Sequence, residues 1–369
     1  MTNMEADEDS SPRPAPLARP DLFDEMARII LERAQPDASE ETLSQVVQAA
    51  TEAAAPIITD ELARLTPSMV IDHEAIRVAF EIRLRDPWGA AFDAFEALRV
   101  ASVESGERYI DRVADEASAD GDQVFPVLVR LHARACEGAS EIATLLRSGH
   151  ASGAHARWRT LHEIAVVMSF IADQGDEAAR RYMEHRAISS WHDAQDYQVF
   201  AARLGEEPFT AEEMDEMAHE RAALLARHGP SFDKPWGWAS AALRPAPPTF
   251  RSLETAVDLA HWRPYYAMAS HGVHGGPRAL YFRLGVPDAL ETLIAGPSNL
   301  GLGDPGIDAS LSLGVIDAVL LTHRADLEGL TTAKVIHALV DRAVAAFSEA
   351  EAESQRRLAE DGEEVDASE

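Results

Sequence analysis

Residues 125–175 read FPVLVRLHARACEGASEIATLLRSGHASGAHARWRTLHEIAVVMSFIADQG, and the punctuation of this stretch decides the fold. The apolar period is helical from Phe125 to Arg147, where Ser148 and Gly149 close it. It resumes from Gly153 to Ala172 and is closed by Gly175. A third run, Asp176 to Leu204, opens with acids, which suits the positive end of a helix dipole, and stops at Gly205. Connections this short make the three helices antiparallel neighbours in a bundle.

Working outward, the same period recurs. Leu22, Met26, Ile29 and Ile30 form a stripe, and Ser39 with Glu40 and Glu41 opens a helix running to about Ala55. Helical stretches follow over about 57–65, 72–84 and 89–119, and the run from Ser118 to Gln123 marks a break. Beyond the bundle, Thr210–His228 is a charged helix. An irregular stretch follows, with Gly229-Pro230, Pro235-Trp236-Gly237-Trp238 and Pro245 to Pro248. Helices are expected at about 264–274, 307–325 and 331–359. The sequence shows no internal repeat and no alternating β pattern beyond short pieces. The expectation is an all-α protein in four parts. Residues 1–20, acidic and then proline-rich, form a disordered tail. Residues 21–122 form an N-terminal helical region, 123–348 a helical core domain, and 349–369 the end of the last helix and an acidic tail.

Composition narrows the setting. The chain of 369 residues carries 33 basic and 63 acidic side chains, a formal charge of -30. That balance opposes non-specific binding to DNA or anionic membranes, while screening over about 10 Å leaves room for a local basic site. The only cysteine, Cys136, allows no internal disulfide and no multi-cysteine zinc site, and it reads as a small core residue. No uninterrupted apolar run approaches the roughly 20 residues that span a bilayer. The N-terminus is acidic where a signal peptide is basic, so a cytoplasmic location is expected.

Three helical stripes could carry chemistry. On the helix from Gly153, a step of about 100° per residue places His155, Arg159, His162 and Glu163 within a quarter turn, with Trp158, Leu161 and Ile164 opposite. Arg157 lies in that apolar arc. Farther along, the helix is apolar all round, so it is central and its polar group must be paired. The plain alternative is an Arg159–Glu163 pair that ties helices together. On the next helix Tyr182, His185, Ser189, His192 and Asp196 share a face, where a solvated surface or interhelical hydrogen bonds compete with a metal site. The third stripe is Tyr266, Ser270 and His274, with His271 beside it; hydrogen-bonded core polar groups compete there with proton transfer by His274. Trp238 reads as an aromatic anchor or a stacking surface. Neither a phosphate loop, nor a nucleophile elbow, nor His-Glu-x-x-His occurs, and no cofactor or metal is expected.

The strings LLRSG (145–149), ARWRTLHE (156–163), Arg181-Tyr182 with His185, Gly237-Trp238, and Tyr266 with Ser270, Val273 and His274 resemble a bacterial helical family of unknown function over about residues 125–285. More distantly, Arg157 and His162, with four residues between them, resemble the motif of the HEPN superfamily, helical domains that often act as metal-independent ribonucleases in toxin and antiviral systems. That likeness implies a histidine in proton transfer, an arginine on phosphate, and RNA as a partner at a local site. On an unbroken helix the two side chains point about 140° apart, so a homodimer or a frayed helix start would have to bring them together. The expected site is Arg159, Glu163, His185 and His274 around one partly buried centre, with His162 and Arg157 as further catalytic candidates. Tyr182, Tyr266, Ser270 and Trp238 are the binding candidates. Three functions stay open: an HEPN-like ribonuclease, a non-catalytic helical module that binds a protein or small ligand, and a metal-dependent hydrolase using Glu163, His185 and His274.

Overall fold

A computed structural model describes residues 39–274 and 295–366, together with Arg28, Gly276, Pro277 and Leu284. Nine α-helices and no strand occur among these residues, so the protein is all-α. The helices are α1 (Glu40–Asp120), α2 (Phe125–Arg147), α3 (Ala151–Gln174), α4 (Asp176–Leu204), α5 (Ala211–His228), α6 (Phe250–Ala256), α7 (Arg263–His271), α8 (Gly303–His323) and α9 (Leu327–Asp366). Three short 3-10 turns, Pro230–Asp233, Gly237–Ala239 and Ala260–Trp262, punctuate the irregular stretch. The expected tail over residues 1–20 lies outside the described residues.

The N-terminal region differs from its expectation. The gaps expected near 56, 66–71 and 85–88 coincide with Pro56, Pro67 and Pro87, yet α1 runs through all three. A proline removes one backbone hydrogen bond and crowds the preceding turn, but it does not forbid the helix when flanking residues hold it. The chain divides into two compact units, one ending at Arg83 and one beginning at Leu84. In the first, the helix surface carries exposed pairs such as Arg64–Glu61 and Arg77–Glu74, which contribute little each.

The second unit begins well before residue 122 because Trp88, Phe92, Phe95 and Leu98 are all buried. The rings of Trp88, Phe92 and Phe95 lie 6.3–6.5 Å from Phe347 of α9. Each such burial is worth about 1.5–3 kcal/mol, so this stretch is core. Asp122 accepts the backbone N–H groups of Val124 and Phe125 at 2.9 and 2.8 Å and caps α2.

Helices α2 and α3 pair as expected, and α8 packs against both and against α9. By length and composition α8 is apolar enough to cross a membrane, but it is largely buried inside the bundle. Its two buried acids, Asp308 and Asp317, face histidines of α3 and α2 respectively. Burying a carboxylate requires such a partner. Helix α3 is buried nearly all round from Ile164 to Ile171, as its sequence predicts.

Candidate functional site

The first half of α3 carries the polar group. Its histidines are not on the side away from Trp158, as the wheel suggested; they flank it. The His155 and Trp158 rings stack at 5.2 Å and 15°, and Trp158 and His162 approach at 5.4 Å. Residues three and four apart lie on one helical face, which permits this column. Trp158 Nε1 donates to Ser312 Oγ at 2.9 Å, locking the indole to α8.

His162 is 1% exposed. Its Nε2 lies 3.1 Å from Glu254 Oε1, and its ring is enclosed by Trp262 (5.9 Å, 11°), Phe250, Tyr266 and Trp158. Glu254 of α6 is itself wholly buried, and its second oxygen meets Arg263 Nε at 3.1 Å, an ion pair too poorly aligned to count as a hydrogen bond. The result is a buried triad of His162, Glu254 and Arg263. His155 Nε2 faces Asp308 Oδ2 at 3.3 Å, again without hydrogen-bond alignment. Burial holds the Asp308 carboxyl above its ordinary pKa, against the pull of His155.

A second, partly open layer joins α3 to α7. Tyr266 Oη donates to Glu163 Oε1 at 2.5 Å and accepts from Arg159 Nη2 at 2.9 Å. The Arg159 guanidinium lies 4.6 Å from the Tyr266 ring centroid, and Arg263 lies 5.3 Å from it. Arg159 and Glu163 are 3.7 Å apart, so tyrosine mediates the pair. Burial, and then the Glu163 bond, raise the Tyr266 phenol above its ordinary pKa. Ser270 donates to the Tyr266 carbonyl within α7. His274, beyond the end of α7, is exposed.

His185 sits elsewhere. Its Nε2 donates to the Lys234 carbonyl at 2.9 Å and its ring stands edge-on to Phe232 at 5.1 Å. Burial lowers its pKa, so it stays neutral. Beside it, the buried Arg181 donates to the Trp238 carbonyl (2.8 Å), to Ser240 Oγ (3.1 Å) and to His228 Nδ1 (2.8 Å). A lone pair on Nδ1 fixes the other proton of His228 on Nε2, which donates to Glu184 at 2.6 Å. Tyr182 and Phe170 hold the Trp238 indole edge-on at 5.0 and 5.6 Å. Gly237 is obligatory here, because a Cβ would meet the Phe232 carbonyl oxygen at 2.3 Å. This group fastens the turns at 230–240 to α4, and Trp238 is the anchor rather than a stacking surface.

Arg157 faces away from His162. It pairs with Glu141 of α2 and donates to Thr160 Oγ1 at 3.3 Å. The structure therefore brings Arg159, Glu163, His162 and Tyr266 together, and it separates Arg157, His185 and His274 from them. Among the described residues, no three His, Cys, Asp or Glu side chains converge as metal ligands.

Sequence reasoning missed Glu254, Arg263, Phe250 and Trp262; an acid beside Leu253 in a short helix gives no periodic signal. It also missed a buried centre in which Asp317 Oδ1 accepts from His132 Nε2 at 2.9 Å and from Ser102 Oγ at 2.7 Å. Burial is the largest single influence and works against the His132 charge, but Asp317 and Cys136 together outweigh it and lift the imidazole pKa to about 10. Gly106 admits that ring, since a Cβ there would lie 2.4 Å from His132 Cε1. Cys136 Sγ lies 3.8 Å from His132 and is not fully buried.

The chain is thus an all-α protein whose polar centre is internally paired. Residues 125–290 match the model of a family of unknown function, DUF5677. That match covers α2 to α7 and agrees with the resemblance read from the motifs, and it lends the HEPN likeness no support. No curated protein and no solved structure matches the chain.

Proposed function

We propose that this protein is a non-catalytic helical binding module, and that its motif residues build and hold a surface instead of moving protons. The observation that carries this reading is the enclosure of His162. Its imidazole is 1% exposed, bonded to the buried Glu254 and walled by four aromatic rings. A general acid or base must reach the proton it transfers, within about 2.6–3.2 Å or through one water. His162 has no such path, and the Arg157 guanidinium of the same motif is tied to Glu141. The hydrolase alternative is weaker still, because Glu163, His185 and His274 occupy three different environments.

The test sets the binding reading against the ribonuclease one. The protein is induced in cells and, once purified, incubated with total RNA, alongside a His162→Gln variant. Intact RNA with both proteins, and a lower melting temperature for the variant, are expected. RNA fragmentation by the wild type that a folded His162→Gln protein cannot perform would overturn the reading and restore His162 as a catalyst.

A further inference from the structure

The charge of the chain is not evenly spread. Residues 234–274 hold four Lys or Arg (Lys234, Arg244, Arg251, Arg263) against two acids (Glu254, Asp258), in a protein whose formal charge is -30. The same 41 residues hold six aromatic side chains, a quarter of the 24 in the chain. Glu254 is fully buried and paired with His162 and Arg263, which leaves Lys234, Arg244 and Arg251 against the exposed Asp258. Lys234, Arg244, Arg251, His261 and Tyr265 are all exposed, with Tyr265 at 45%.

The part of this segment around α6 and α7 forms one contiguous group. Trp236 lies 5.3 Å from Phe250, which lies 5.1 Å from Tyr266. Arg263 covers Phe250 at 5.7 Å and Tyr266 at 5.3 Å. His261 stands edge-on to Trp262 at 5.8 Å, and Trp262 and Trp236 are both half-buried. The neighbouring Arg159 adds a further guanidinium, with Glu163 satisfied by the Tyr266 hydroxyl.

From this juxtaposition we propose that the surface around α6 and α7, with Trp236, Trp262 and His261 in the ring cluster and Arg251 and Tyr265 exposed on the same two helices, binds single-stranded nucleic acid. The inference rests on the binding-module reading and names its partner class. Cations along a track neutralise phosphates, and aromatic side chains between them stack unpaired bases, which every base permits. A duplex hides its base faces and offers this surface only charge. The acidic remainder of the protein repels phosphate, so the contact is confined to this face, within the roughly 10 Å over which charges act at about 0.1 M salt.

The experiment uses the full-length chain and fluorescein-labelled probes of about 20 nucleotides, a length that exceeds usual single-strand site sizes. The probes are oligo(U), oligo(dT) and a mixed-sequence duplex, followed by anisotropy at two salt concentrations. Both single strands bind in preference to the duplex, and affinity falls steeply between about 50 and 200 mM salt. Tyr265→Ala, an exposed position that leaves the fold intact by circular dichroism, weakens binding about 5- to 100-fold. Arg251→Glu weakens it at least about tenfold and flattens the salt dependence. No anisotropy change up to about 100 µM protein at low salt, the weak end of non-specific binding, would overturn the proposal. So would a duplex bound as tightly as the single strands, or a Tyr265→Ala, Arg251→Glu double variant that binds like the wild type. Cleavage of the probe is a separate outcome: it refutes the non-catalytic reading, whereas silence from every probe removes this partner and leaves that reading standing.

Discussion

Replacing Glu254 by Gln removes one charge and almost no volume from the wholly buried centre of the His162–Glu254–Arg263 triad. Deleting one member of a buried ion pair costs about 3–5 kcal/mol when the remaining charge cannot find water. Here the two partners differ. The Arg263 side chain is 26% exposed and can recover some hydration, whereas the His162 side chain is 2% exposed and cannot. The expected loss is therefore somewhat below that range, about 2–4 kcal/mol, or about 3–7 °C in melting temperature for a unit of this size. The assay is thermal and urea unfolding followed by circular dichroism, with His162→Phe and the double variant completing a cycle. Because the double variant strands no imidazole, its cost should fall short of the two single costs added together, by about 0.5–3 kcal/mol. A Glu254→Gln protein within about 0.5 kcal/mol of wild type, the range of an ordinary surface substitution, would refute the claim that the triad holds the site together.

Two further outcomes follow from the other buried centres. Against burial, Asp317 and Cys136 together raise the folded pKa of the His132 imidazole from 6.5 to about 10. Its contribution to stability is thus complete below about pH 6.5 and fades as pH rises toward 10; melting temperature followed over that window should fall, and a His132→Gln variant should lose that slope. Arg181→Lys should destabilise the second unit by about 2–4 kcal/mol, since an ammonium cannot serve the Trp238 carbonyl, Ser240 and His228 together; thermal unfolding and tryptophan emission report it, and an unchanged melting temperature would show that the 230–240 turns hold without the clamp.

How much of this was legible depended on the range of the interactions. The ends of α2, α3 and α4 are written locally, in Gly149, Gly175 and Gly205, and could be read directly. The continuity of α1 could not, because Pro56, Pro67 and Pro87 are local breakers by sequence, yet the helix runs through all three. Arg159 and Glu163 were legible as a pair, since four-residue spacing puts both on one face of α3, but that Tyr266 joins them was not, because it depends on how α7 meets α3. His185 and His274 gave the same kind of signal and went elsewhere. The partner of His185 is a backbone carbonyl at Lys234, from a turn with no periodicity, and His274 lies past a helix end. Glu254 left no trace at all, because a buried acid in a seven-residue helix looks like any surface acid until its partners are in place.

The triad and the exposed face above it are connected by length. Helices α6 and α7 have seven and nine residues, and isolated helices need about 12–15 residues even to be marginal in water. Their positions must come from tertiary contacts, and the strongest available are Glu254 from α6, Arg263 from the start of α7, and His162 from the central helix α3. A well-packed apolar trio could stabilise the bundle as much, but it would leave two short helices free to slide along a greasy contact. A buried carboxylate accepts its partners only at particular distances, so it fixes Phe250, Tyr266 and the exposed Arg251 and Tyr265 in register with Arg159. On this view the histidine that looks catalytic in the sequence is the root of a surface: it is buried so that its neighbours can stay exposed in one arrangement.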